Sequence, residues 1–125
     1  MVLVGHSMGT VTAVTWAATV DPAQHGKVRA AFLVAPTDVA DPDPSFDLVR
    51  PFAPVPMRPL PFPALVVASR NDPRVTFARA ETFAQAWGAE LADMGELGHM
   101  GSDQRLGIWP VGLLLFGRLL GAAGL

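Results

Sequence analysis

Three short apolar runs, Val2–Val4, Val28–Ala35 and Ala64–Ser69, most constrain what this chain can fold into. The second (VRAAFLVA) is apolar except for Arg29, and the third (ALVVAS) carries no charge at all. A strand without polar alternation has no face to offer to water, so it must be covered on both sides, the condition of a parallel sheet lying between helices. Helix-compatible segments are placed to supply that cover. Gly9 to Val20 is rich in Ala and Thr, and Phe77 to Trp87 sets Phe77, Ala80, Phe83, Ala84 and Trp87 on one helical face, with Gly88 as its C-cap. A weaker strand over Ala89–Met94, a loop over Gly95–Gly107 and a last helix from Trp109 to about Ala122 complete the order βα-β-loop-βα-β-loop-α. That order predicts an α/β fold with a parallel sheet flanked by helices and right-handed crossovers. Asp21-Pro22 ends the first helix. Nine of the twelve prolines lie from Pro36 to Pro63, together with Asp38, Asp41, Asp43 and Asp47, so a long, stiffened loop without regular helix or central strand is expected there.

A chain of 125 residues, half of them apolar, is enough for one domain spanning 1–125 with a core that needs no disulfide or metal. The formal net charge of −2 gives no electrostatic footprint for nucleic acid or an anionic membrane, and small neutral substrates fit better. The absence of cysteine removes a thiolate nucleophile, and the three scattered histidines have no zinc-site spacing, so metal chemistry is disfavoured. Ile108 to Leu125 approaches the length of a membrane span, but Arg118 and four glycines interrupt it and Trp109-Pro110 reads as a helix start. A buried C-terminal helix is expected instead of a membrane anchor. Met1 to Gly5 lacks the basic region and long apolar segment of an export signal, which makes the cytoplasm the expected compartment.

The chemistry-bearing residues fall at strand ends. Gly5-His6-Ser7-Met8-Gly9 matches Gly-x-Ser-x-Gly between an apolar strand and a helix, the setting of a nucleophile elbow. In such a turn Ser7 takes a strained backbone angle, and side chains at the two flanking glycines are expected to clash with the neighbouring strand and helix. Ser7 Oγ would point into a cleft, and the Met8 N–H, at a helix N-terminus, would face the oxyanion of a tetrahedral intermediate. A serine hydroxyl needs a histidine base, itself oriented by a carboxylate. Asp72, in Arg70-Asn71-Asp72-Pro73 after the third apolar run, and His99, in Gly98-His99-Met100-Gly101 after the next strand, follow in the order Ser, acid, His. Their separation, 99 − 72 = 27 residues, accommodates one helix and one strand. Asp38, Asp93 and Glu96 are rival acids. His6 is expected to pack and hydrogen-bond near the elbow, and His25 to face solvent. Phe46, Phe52 and Phe62 either line the mouth of the site or belong to a plain surface loop.

The sequence resembles the YdeN-like serine hydrolases, relatives of retinoblastoma-binding protein nine within the α/β-hydrolase superfamily. The resemblance runs over essentially the whole chain. It is carried by Gly5-His6-Ser7-Met8-Gly9, Leu33-Val34-Ala35-Pro36 with Asp38-Val39, Pro61-Phe62-Pro63, Val67-Ala68-Ser69-Arg70-Asn71-Asp72-Pro73, Ala86-Trp87-Gly88-Ala89, Gly95-Glu96-Leu97-Gly98-His99 and Leu106-Gly107-Ile108-Trp109-Pro110. It implies Ser7 as nucleophile, Asp72 as acid and His99 as base of a compact hydrolase without a large lid. It also implies that the chain corresponds to the C-terminal half of such an enzyme, since members begin with further strands and the loop that gives a second oxyanion-hole N–H. The expected function is cofactor-free cleavage of a small ester, thioester or amide through an acyl-enzyme. Acyl transfer by the same triad, or a catalytically silent fragment acting as an interaction module, are the alternatives. An unpaired edge of Val2–Val4 is expected to favour self-association.

Overall fold

The computed structural model describes all 125 residues, Met1–Leu125. Four parallel strands, β1 (Val2–His6), β2 (Ala30–Val34), β3 (Ala64–Ala68) and β4 (Glu90–Asp93), form one sheet in the order β1-β2-β3-β4. Helices α1 (Met8–Thr19), α2 (Phe77–Trp87) and α3 (Pro110–Ala122) flank it. The register pairs His6 with Val34, Val34 with Val67 and Ala68 with Asp93, so the carboxyl ends of all four strands reach one rim of the sheet.

The apolar runs are buried as their composition requires. Every residue of β2 and β3 is buried, and alternate residues serve opposite faces. Ala31, Leu33, Ala64, Val66 and Ala68 join Val11 and Val14 of α1 and Phe83 and Trp87 of α2 in one core, whereas Ala30, Phe32, Val34, Leu65 and Val67 meet Leu119 of α3 on the other side. The period-two alternation of a strand thus divides one apolar run between two cores. Trp87 stacks on Phe83 with ring centroids 4.9 Å apart and donates its indole N–H to Pro56 O at 2.8 Å, which pins the proline-rich loop beneath α2. Thr76 caps α2 by accepting the Arg79 N–H, and Gly88 ends it at φ +64°, where a side chain would be strained.

The structure departs from expectation in several places. The proline-rich segment holds two short 3₁₀ turns, Pro44–Phe46 and Arg50–Phe52, each with proline in its first turn, where the missing N–H costs no hydrogen bond. Helix α3 is not fully buried. It sinks Gly112 and Leu119 and sets Phe116 edge-on to Phe32 at 5.5 Å, but leaves Val111, Leu113 and Leu114 exposed. No helix is long and apolar enough to cross a membrane. His25 is half-buried: its Nε2 lies 2.9 Å from Ala17 O, and its ring sits edge-on to Trp16, so it satisfies a terminal carbonyl of α1. No large lid lies over the carboxyl rim.

Candidate active site

Ser7 sits between β1 and α1 at φ 58°, ψ −121°, outside the regions open to a side-chain-bearing residue at low cost. Its N–H donates to Val34 O at 3.0 Å and its carbonyl accepts from Thr10 N and Thr10 Oγ1, so both sides of its peptide are held. The close approach of β1 to α1 explains Gly5: a Cβ there would lie 2.8 Å from the carbonyl carbon and oxygen of Gly9. Gly9 corrects the sequence expectation, because a Cβ on it would meet nothing within 4 Å. Only the first glycine of the motif is demanded by packing within this chain.

The three singled-out side chains meet at the carboxyl rim. Ser7 Oγ lies 2.8 Å from His99 Nε2, and His99 Nδ1 lies 2.9 and 3.0 Å from the two oxygens of Asp72. The Asp72 side chain is wholly buried and that of His99 is 21% exposed. Asp72 Oδ1 also accepts the Arg74 N–H at 2.8 Å, a bond that fixes the carboxylate plane. A carboxylate only accepts, so the imidazole carries its proton on Nδ1 and offers the Nε2 lone pair to Ser7. Met8 opens α1, which leaves its N–H without an acceptor inside the helix and at the positive end of the helix dipole.

The rival acids are engaged elsewhere or lie apart from His99 Nδ1. Asp38 faces Arg79 at 3.5 Å, and Asp93 accepts from Arg70 at 2.8 Å. That hydrogen bond from Arg70, with a second from the Gly95 N–H, holds the exposed Asp93 carboxyl below the ordinary carboxylate value. Glu96 makes no bond to His99. Of the three phenylalanines, Phe62 belongs to the core beneath α1 and α2, Phe46 is buried under the Arg74 guanidinium, and Phe52 is exposed.

Three supporting residues, Ser69, Asn71 and Thr37, had no role assigned from the sequence, whereas His6 packs and hydrogen-bonds beside the turn as expected. Ser69, fully buried at the end of β3, donates to Gly98 O at 2.5 Å, and Asn71 Oδ1 accepts the Gly98 N–H at 2.7 Å. The peptide before His99 is therefore clamped at both ends. Gly98 itself is at φ +56°, where a Cβ would come within 2.7 Å of Gln104 Nε2. His6 Nε2 lies 2.8 Å from His99 O, with the two rings 4.8 Å apart, so the histidine of the motif supports the backbone of the other histidine. Thr37, three residues past β2 by way of Pro36, places Oγ1 2.9 Å from Ser7 Oγ. No three His, Asp or Glu side chains gather in a metal-ligating arrangement.

This geometry can be compared with known proteins. A YdeN-like hydrolase from Pectobacterium atrosepticum superposes with a TM-score of 0.80 at 31% identity, over 98% of this chain and 60% of that one. A hydrolase of the α/β superfamily from Xanthomonas campestris gives 0.63 at 24% identity, over 97% of this chain and 58% of that one. Thermogutta terrifontis esterase 2 gives 0.69 at 19% identity, over 98% and 55%. The chain thus spans less than two thirds of the length of each. No curated protein matches the sequence. The family model for serine hydrolases matches residues 1–118, and with the α/β-hydrolase fold and the likeness to a YdeN-like hydrolase the chain belongs to the serine hydrolase family.

Proposed function

We propose that residues 1–125 act as one unit that cleaves a small ester, thioester or amide through an acyl-enzyme on Ser7. The observation that carries this reading is the continuous hydrogen-bonded relay Ser7 Oγ to His99 Nε2, 2.8 Å, and His99 Nδ1 to Asp72, 2.9 Å. Ser7 Oγ attacks the acyl carbon while its proton passes to His99 Nε2; the imidazolium then returns that proton to the leaving group as the carbon–leaving-group bond breaks. Water, deprotonated by the same Nε2, attacks the ester, and Ser7 recovers its proton as the acid departs. Asp72 holds the Nδ1–H tautomer and offsets the imidazolium charge without being protonated. The Met8 N–H supplies one donor to the oxyanion. The strain at Ser7 supports the reading, because a φ of 58° with ψ −121° persists only where surrounding bonds enforce it. No cofactor takes part in these steps.

The test is labelling of the purified chain with a fluorophosphonate probe, together with turnover of p-nitrophenyl acetate, against Ser7→Ala. Labelling and turnover that both vanish in Ser7→Ala are the expected result. A folded wild-type chain that does not label overturns the reading in favour of an interaction module, and acyl product formed only when an amine or alcohol acceptor is added identifies acyl transfer.

A partner reading accompanies this one: self-association through the outer edge of β1. Val4 is 66% exposed there, and a groove of about 380 Å³ lined by Leu3, Val4, Ala13 and Trp16 runs beside it. No Lys, Arg, Asp or Glu stands in β1, so the edge lacks the usual guard against strand pairing.

A further inference from the structure

A ring nitrogen and a hydroxyl converge on one oxygen, and the hydrogens available to the three groups assign a role to a residue outside the Ser7–His99–Asp72 relay. Ser7 Oγ is 2.8 Å from His99 Nε2 and 2.9 Å from Thr37 Oγ1. Both Asp72 oxygens lie within 3.0 Å of His99 Nδ1, so Nδ1 bears the imidazole hydrogen and Nε2 must accept. The single hydroxyl hydrogen of Ser7 is then committed to Nε2. The hydrogen between Ser7 and Thr37 can only be that of Thr37, and the Ser7 oxygen accepts it. Thr37 has no rival for this bond: the residue is 2% exposed, and its hydroxyl makes no other hydrogen bond in the structure.

The position of Thr37 is fixed by its surroundings. Ala35, at φ 49°, donates to Val67 O at 2.8 Å; the Asp38 N–H donates to Arg74 O at 3.0 Å; the Val39 N–H donates to Thr37 O at 3.1 Å. Pro36 stiffens the backbone between, and the branched Cβ of Thr37 restricts its χ1. The serine side chain, by contrast, is short and would otherwise choose among three staggered positions.

We propose that Thr37 is a further functional residue of the site, whose hydroxyl donates to Ser7 Oγ, holds that oxygen in line with His99 and stabilises the charge it gains as its proton leaves. This rests on the acyl-enzyme reading above. Thr37 neither gains nor loses a proton in the reaction. Its hydrogen stays on Thr37 Oγ1 while the Ser7 proton moves to His99 Nε2 and the new bond from Ser7 Oγ to the acyl carbon forms. The neutral hydroxyl oxygen of resting Ser7 and the ester oxygen that results are both weaker acceptors than the partly negative oxygen of attacking Ser7, so the bond is strongest as the proton leaves, which is the condition for it to accelerate the reaction.

The experiment compares Thr37→Val, which keeps the shape and removes the hydroxyl, with Thr37→Ser, which restores the hydroxyl, in the full chain. Fluorophosphonate labelling rate, and kcat and KM for p-nitrophenyl acetate, are measured beside thermal unfolding. We expect Thr37→Val to lower the labelling rate and kcat about tenfold, equivalent to ~1.4 kcal/mol, with KM within about twofold of wild type. Thr37→Ser is expected to recover most of the loss. Thr37→Ala, which adds no bulk, supplies the same comparison if valine disturbs the packing. A Thr37→Val chain that reacts at the wild-type rate overturns the assignment alone, as does a folded Thr37→Ser chain no faster than Thr37→Val. A wild-type chain that never labels overturns the hydrolase reading, and this one with it.

Discussion

Replacing Gly5 by alanine sets a methyl group 2.8 Å from the carbonyl carbon and oxygen of Gly9 and 3.0 Å from Thr10 N. All three are backbone atoms, so no side chain can rotate away to make room. On one side β1 is tied to β2 by a register that pairs Gly5 with Leu33, and on the other α1 is anchored through Ser7, whose N–H bonds Val34 O. Strand and helix must therefore part by several tenths of an ångström, an overpacking strain of roughly 1–3 kcal/mol. For a chain of this length that lowers Tm by roughly 4–12 °C. The displacement falls on the turn that carries Ser7, and a reacting atom moved by about 1 Å loses on the order of 10²-fold in rate. Gly9→Ala is the internal control. Its methyl meets nothing within 4 Å, and Gly9 lies in the first turn of α1, where alanine changes stability by less than about 1 kcal/mol and in the favourable direction. Urea and thermal unfolding followed by circular dichroism, with labelling rates on the same samples, measure both. Equal damage in the two variants, or an unharmed Gly5→Ala, would refute the packing argument.

Three further outcomes are expected. Asp72→Asn keeps an oxygen to accept from Arg74 N–H but presents an amide to His99, which releases the imidazole into the wrong tautomer; kcat should fall by about 10⁴-fold with the fold intact by circular dichroism. Asn71→Ala deprives the Gly98 N–H of its 2.7 Å acceptor, at a cost of about 1 kcal/mol, and hydrogen exchange at residues 98–101 should quicken while activity drops several-fold. Val4→Lys places a charge at the exposed centre of the β1 edge, and light scattering should show a smaller species than wild type if chains pair there; an unchanged mass for a wild-type oligomer would locate the contact elsewhere.

Much of the fold was legible because its determinants are local. Val28–Ala35 and Ala64–Ser69 lack polar alternation, which dictates burial on both faces, and the apolar stripe from Phe77 to Trp87 dictates which side of α2 turns inward. The motif between β1 and α1 singled out Ser7, and chain order singled out Asp72 and His99; the structure brings those three within hydrogen-bonding distance. Element ends shifted by one or two residues, since a strand ends where its partner does and not where its composition changes. The open space at Gly9 was not legible, because a motif records residue types and not the atoms around them.

Tertiary structure alone decided the supporting cast. Thr37 comes to Ser7 only because the parallel register sets His6 beside Val34, which carries the residues just past each strand to the same point on the rim. Ser69 and Asn71 reach Gly98 across 29 and 27 residues of chain for the same reason. A lone Thr, Ser or Asn beyond a strand has no periodicity and no spacing to mark it. The sequence by itself determined that β2, β3 and the inner face of α2 are buried and brought Ser7, Asp72 and His99 forward as candidates, because apolar patterning and motifs belong to the chain itself; how far α3 is buried it left to the tertiary structure. The register between strands decided which of those residues touch, because contact distances arise from the pairing of segments far apart in the chain.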